Sequence, residues 1–266
     1  MTAERILRER VVREIANYNL QDIDVFAYSV TDSTNARAVD CARHTSPERV
    51  TVFVADSQSA GRGRRGRAFD SPSGSGLYFS VLIPVRDSLF DFTELTVRGA
   101  VATRRAILES SGVDTEIKWV NDILLDGRKT AGILAEAVTD RDSGRVEYSV
   151  LGIGINTERR EFPEELREVA VSLESYTDRA VDRSKLLAVI LRELLSQRDF
   201  SSVLEEYRRH SATLGKRVLV TELSGVSYAA EAIGICDTGA LRVTLDSGET
   251  RELISAEVSV KINDKQ

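Results

Sequence analysis

VTVFVADSQSAGRGRRGRAFDSPSGSGLYFS, residues 50–80, sets two apolar, strand-like runs on either side of a loop that spells G-x-G-x-x-G. A dinucleotide fingerprint of that form opens a helix directly after its strand. Here the glycines lead instead into the turn residues SPSGSG (71–76) and then into another strand, LYFSVLIP (77–84). The stretch therefore reads as strand, loop, turn, strand, which rules out a dinucleotide fold. A kinase glycine-rich loop does lie between strands, but no H-R-D or D-F-G follows, and His44 and His210 are the only histidines. GRKT (127–130) lacks the earlier glycine and the contiguous Gly-Lys of a P-loop.

Upstream, ERILRERVVREIAN (4–17) has helical spacing of apolar residues, IDVFAYSV (23–30) alternates as a strand, and TDSTNARAVDCAR (31–43) reads as a helix with Asp32 or Ser33 as N-cap. Downstream, residues 91–112 form a long amphipathic helix closed by Gly112, and 116–138 read as strands around a hairpin at Asp126-Gly127. VEYSVLGIGIN (146–156) is one more strand, and two helices fall within 183–210. From Lys216 short β runs alternate with turns at 237–239 and 246–248, a spacing suited to a small barrel. The expectation is an α+β body over residues 1–212, with 1–22 as helix and lead-in, and a β module over 213–266. The 266 residues carry a net charge of −6, so positive charge is a local feature of the loop rather than a whole surface built for nucleic acid. No apolar run approaches a membrane span, and Cys41 and Cys236 form no CxxC pair. The reading is cytoplasmic, with no membrane insertion.

Within residues 61–67 four arginines share seven positions with three glycines. A solvated basic turn and a nucleic-acid contact are both open readings. The sharper one is an anion clamp, in which glycines let backbone N–H groups converge on phosphate oxygens and arginines supply planar forks. Mutual repulsion should keep such a loop mobile until an anion joins it. Lys118 beside Trp119 ends an otherwise apolar strand; Asn121 and Asp122 can reach a ribose, a base or Mg²⁺, or simply form an Asx turn. Gly152 and Gly154 allow a flat ligand, or a neighbouring backbone, to come close to the strand. No zinc-ligand spacing and no G-x-S-x-G motif occurs.

DSTN (32–35), DSQSAGRGRRGRAFDSPSGSGLYFS (56–80), KWVNDILLDGRKTAGILAE (118–136) and GIGIN (152–156), in that order, closely resemble the biotin protein ligases, and 214–262 resemble their C-terminal β module. The resemblance implies a class II aminoacyl-tRNA-synthetase-like α+β catalytic body with a small SH3-like β barrel. It implies a ligase that activates biotin with ATP and Mg²⁺ as biotinyl-5′-AMP and passes it to a lysine of a biotin carboxyl carrier domain, with no zinc and no haem. Carried over by position, Ser33, Thr34, Asn35 and Gln58 would bind biotin, with Gly61, Arg62 and Gly132 nearby. Lys118 would hold the biotin carboxylate and then the bridging phosphate, with Arg64 as its catalytic partner; Arg64, Arg67, Phe69, Asn121 and Asn156 would bind ATP, and Asp122 is a candidate Mg²⁺ ligand. Phe69 stands where many relatives have Trp, and Val120 where many have Pro.

Relatives that also repress transcription carry a helix-turn-helix domain before DSTN. Only about 30 residues precede it here, so specific DNA binding is not expected. A homodimer is compatible with the resemblance. A lipoate-type ligase, a non-catalytic biotin or biotinyl-AMP sensor and a nucleic-acid module are the competing readings. The chemistry of the first fits the residues: a carboxylate attacking phosphorus brings anion to anion, so fixed cations are needed more than acid–base groups.

Overall fold

The computed structural model describes residues 3–85, 92–254 and 256–260. Its first half comprises α1 (Ala3–Asn17), β1 (Asp24–Thr31), α2 (Thr34–Thr45), β2 (Thr51–Gln58), β3 (Gly76–Pro84) and α3 (Phe92–Ser111). Then follow β4 (Glu116–Lys118), β5 (Asp122–Leu125), β6 (Arg128–Thr139), β7 (Val146–Asn156), α4 (Arg183–Ser196) and α5 (Phe200–Arg209). The chain ends in β8 (Arg217–Thr221), β9 (Ser227–Ile235), β10 (Leu241–Leu245), β11 (Thr250–Leu253) and β12 (Glu257–Val260). The expected start of the long helix at Asp91 and the end of the last β run at 261–262 lie outside the described residues. The helix starts at Thr34 with extended Ser33 as N-cap, one of the two caps expected, and Asp32 accepts from the Ser33 N–H (2.7 Å). The Asp126-Gly127 turn forms as expected, with both residues at positive φ (49° and 74°), the backbone that a two-residue hairpin requires.

The first seven strands form one sheet in the order β1-β2-β3-β7-β6-β5-β4, antiparallel except for the β1–β2 pair. A parallel pair needs a crossover, and α2 supplies it. Strand alternation then divides the two faces. Val52, Val54, Phe79, Val81, Leu151 and Ile153 enter the main core, which also takes in α1, α3, α4 and α5. Phe53, Leu82, Val138 and Val150 face the other way and pack with Ala38 and Ala42 of α2. The short α2 covers only one end of that second face. Beyond its N-terminus, the same face of β3, β7 and β6 carries Tyr78, Ser80, Gly152, Gly154 and Gly132, and there the site forms.

The C-terminal strands make a separate antiparallel sheet, β11-β10-β9-β8-β12. Trp119, 3% exposed, ties it to the body: its indole N–H donates to the Gly239 carbonyl (2.9 Å), and its backbone N–H donates to Thr213 Oγ1 (2.9 Å). Tyr207 of α5 donates its hydroxyl to the Val120 carbonyl (3.0 Å) and so holds the same turn, whose Trp119–Val120 peptide is cis. Burial, with the Asp122 charge adding to it, pushes the Tyr207 hydroxyl far above its ordinary value, so it remains a donor. Among the described residues no helix is long and apolar enough to cross a membrane.

Gly239 has φ +83°, and a Cβ there would lie 2.9 Å from Thr93 Cγ2. Gly239→Ala is expected to cost about 1–3 kcal/mol through backbone strain and this contact. A urea unfolding midpoint equal to that of the parent would refute the tight turn as the anchor of Trp119.

Candidate active site

The inner part of the site is a recess at the N-terminus of α2. Ser33, Thr34 and Asn35 are each less than 5% exposed, and a chain of hydrogen bonds orients them. Gln58 Nε2 donates to Ser71 Oγ (2.9 Å), which leaves Gln58 Oε1 to accept from the Thr34 N–H (2.8 Å) and Thr34 Oγ1 (3.2 Å). Ser80, fully buried, places its hydroxyl 2.7 Å from Thr34 Oγ1 and 2.5 Å from Asn35 Oδ1, so its single proton serves one of them at a time. Asn35 Nδ2 donates to Glu136 Oε2 (2.7 Å). The wall of the recess is therefore polar and already satisfied at its base, and it is suited to a neutral ligand that exchanges hydrogen bonds with amides and hydroxyls.

Glycine is needed at two points on this face. A Cβ on Gly152 would overlap the Asn35 amide, and one on Gly154 would lie 2.7 Å from the Phe69 ring. Phe69 lies across Gly154 and its cross-strand partner Gly132, edge-on to Tyr78 with ring centroids 6.3 Å apart. The flat group that these glycines admit is thus the chain's own ring. Phe69 lines the inner recess on one side and, on the other, an outer chamber bounded by Arg64, Lys118, Asn121, Asp122 and Glu257.

Lys129 also lines both spaces. Its ammonium lies 2.6 Å from Asp122 Oδ1, a close ion pair without the alignment of a hydrogen bond, and 5.9 Å from the centre of the Phe69 ring. A β-bulge explains its position. The hairpin register pairs Leu124 with Lys129 but Ile123 with Ala131, so one extra residue on β6 turns Lys129 onto the face of Gly132. Lys118, expected to hold the biotin carboxylate and then the bridging phosphate, lines the outer chamber.

The arginines separate onto different partners. Arg62 approaches Glu136 (3.7 Å), and Arg64 donates to Asn121 Oδ1 (3.2 Å). Arg65 donates to the Thr221 carbonyl (3.1 Å) and lies 3.8 Å from Glu257, which also pairs with Arg67. The expected self-repelling loop is, in the structure, neutralised by the body on one side and by the β module on the other. Burial, seconded by the Arg65 charge, pulls the Arg64 guanidinium below the ordinary arginine value, with Asp122 and Glu257 opposing; it stays charged.

Of the expected residues, Ser33, Thr34, Asn35, Gln58, Arg62, Arg64, Phe69, Asn121 and Gly132 meet around the recess, and Lys118, Arg67 and Asp122 join Arg64 in the outer chamber. Two fall outside these linings. Asn156, 5% exposed, sits at the end of β7 opposite Gly76, while Gly61 packs under the Phe69 carbonyl, where a Cβ would collide. Ser80, Glu136, Lys129 and Glu257 were not singled out from the sequence. Ser80 had a signal as the lone serine within the otherwise apolar and aromatic run LYFSVLIP; Lys129 depended on a bulge that no motif announced.

The model of the Biotin/lipoate A/B protein ligase family matches residues 27–156, and that of the Biotin protein ligase C terminal domain matches 213–261. The bifunctional ligase/repressor BirA of Bacillus subtilis is 33% identical over 242 residues, 88% of this chain and 73% of that protein. The biotin--[acetyl-CoA-carboxylase] ligase of Mycobacterium tuberculosis is 32% identical over 262 residues, 95% and 93% of the two chains. The biotin protein ligase of Aquifex aeolicus in complex with biotin and ATP superposes with a TM-score of 0.75 at 27% identity, covering 90% of this chain and 98% of that one. With relatives 32–33% identical over 88–95% of its length, the chain belongs to the biotin protein ligase family.

Proposed function

We propose that this chain activates biotin with ATP and then transfers the biotinyl group to a lysine of a biotin carboxyl carrier domain. In the first step a biotin carboxylate oxygen bonds to the α-phosphorus and diphosphate leaves, giving biotinyl-5′-AMP. In the second the lysine amine attacks the acyl carbon, loses a proton and displaces AMP. The observation that carries this reading is Lys129, which with Arg64 lines both the inner recess and the outer chamber. A carboxylate reaching out of the recess and a phosphate entering the chamber would converge on its ammonium, which can leave Asp122 for either anion. Arg64, half-buried and lining the same two spaces, supplies positive charge that takes no part in proton transfer, as attack of an anion on an anion requires.

The polar recess favours biotin over lipoate. The ureido ring of biotin offers a carbonyl and two N–H groups to the Thr34, Gln58 and Asn35 set, whereas a dithiolane ring would leave those groups unpaired, at about 1–3 kcal/mol each. Asp122, the candidate Mg²⁺ ligand, is paired with Lys129, so Mg²⁺ would enter with ATP, held chiefly by the phosphates. One chain lines both spaces, so the reading requires no homodimer. A carrier-domain acceptor, a cytoplasmic setting, a division near residue 212 and the absence of specific DNA binding complete the proposal; the net charge of −6 supports the last.

Two variants test the site. Lys129→Ala is expected to lower adenylate formation by about two decades or more, and Lys118→Ala by clearly less. Single-turnover formation of biotinyl-AMP measures both, and the reverse order would return the central role to Lys118. Arg64→Gly should still form some adenylate but lose about one to two decades in its retention, the worth of a charge-assisted phosphate contact. Serum albumin present during the reaction should then become biotinylated, while albumin left unlabelled would count against Arg64 as the clamp.

A further inference from the structure

Arg183 is the first residue of α4, on the far side of the turn 71–76 from the recess, and it lines neither part of the site. Its Nη1 reaches two acceptors, Asp56 Oδ1 (3.3 Å) and the Gly76 carbonyl (3.2 Å). Asp56 in turn accepts from Ser73 Oγ and from the Gly74 N–H (3.3 Å). These four contacts grip the turn at 73, 74 and 76. At its other end the turn fixes Gln58: the Ser71 carbonyl accepts the Gln58 N–H (3.0 Å), and Ser71 Oγ accepts from Gln58 Nε2 while donating to the Phe69 carbonyl (2.9 Å each).

An amide has one donating and one accepting end. With Nε2 committed to Ser71, only Oε1 is left to face Thr34, whose N–H and hydroxyl both donate to it. Were Ser71 to shift, Gln58 could turn over, and its NH₂ would meet the Thr34 N–H, donor against donor. The Asp56–Arg183 pair is about one-third exposed at each partner, and a lone pair of that kind contributes little to stability. Its effect is local, because it ends on the backbone of the turn that sets the Gln58 amide.

We propose that Arg183, acting through Asp56 and the turn 71–76, is a positioning residue for the inner recess that sets affinity for biotin and not for ATP. The inference rests on the reading of that recess as the biotin site. Arg183→Met, Arg183→Lys, Ser73→Ala and Gln58→Ala in the full chain test it, each measured by calorimetry with biotin alone, by steady-state KM for biotin and for ATP, and by thermal unfolding.

Arg183→Met should bind biotin about tenfold more weakly, with the KM for ATP within about twofold of the parent. Arg183→Lys, which keeps the charge opposite Asp56, should recover part of the loss, and Ser73→Ala should reproduce part of it with an unchanged melting temperature. Biotin binding equal to the parent in Arg183→Met, or both KM values rising together with a fall in melting temperature, would overturn the proposal. If Arg183→Met does not fold, Ser73→Ala decides: weakened biotin binding supports the proposal and parental binding ends it. If Gln58→Ala binds biotin as the parent does, the recess is not the biotin site and the underlying reading fails; if Gln58→Ala alone loses binding, only the role of Arg183 is refuted.

Discussion

Two missing Cβ atoms, at the cross-strand pair Gly132 and Gly154, let the Phe69 ring lie directly on the sheet. Everything in the site takes its place from that contact. The ring divides one concavity into a recess and a chamber, and its position fixes where the Arg/Gly loop returns to the body. The ring lies near Lys129, which with Arg64 lines both spaces. A Cβ at Gly154 would lie 2.7 Å from the ring and displace it, while one at Gly132 would meet Lys129 first, at 2.9 Å. The glycines are therefore a requirement of the wall, which explains why a strand otherwise rich in isoleucine and valine gives up packing surface there.

The second constraint is electrostatic. Four arginines in a seven-residue loop repel one another, and a compact fold has to answer that repulsion before any substrate arrives. Glu136 answers it for Arg62, and Glu257 answers it for Arg65 and Arg67. Arg64 donates to the Asn121 amide, and the charges of Asp122 and Glu257 also act on it. Partial burial strengthens those interactions because there is less water to screen them.

The order of strands and helices was legible in the sequence because apolar periodicity, Gly-closed helices and the Asp-Gly turn are local signals. The α2 cluster and Gln58 were legible as well, carried by motif. Lys129 was not. From a simple hairpin about Asp126-Gly127, Lys129 and Gly132 would point to opposite faces, since they are three residues apart on a strand of period two. The bulge opposite Ile123 and Leu124 reverses that parity, and its cause lies in how β5 and β6 pair rather than in either sequence alone. Lys118, in the more conspicuous KWVND, was legible by motif and lies in the outer chamber. Glu257 escaped for a different reason, being some 190 residues from the arginines it faces.

The same reasoning shows why the β module belongs to the chemistry as well as to the fold. Trp119 and Asn121 flank one tight turn; the first is hydrogen-bonded to Gly239 in the module and the second to Ile133 in the body. Asn121 holds Arg64, and Glu257 of the module faces the next arginines along the loop. The module therefore meets the arginine loop through the Trp119 turn, through the charge of Glu257 and through the Thr221 carbonyl that accepts from Arg65. A rigid shift of that module would move the support of Arg64 and the counter-charge of Arg65 together. The outer chamber is in this sense an interface whose two walls are built by different sheets, and its shape is set by how firmly Trp119 holds them in register.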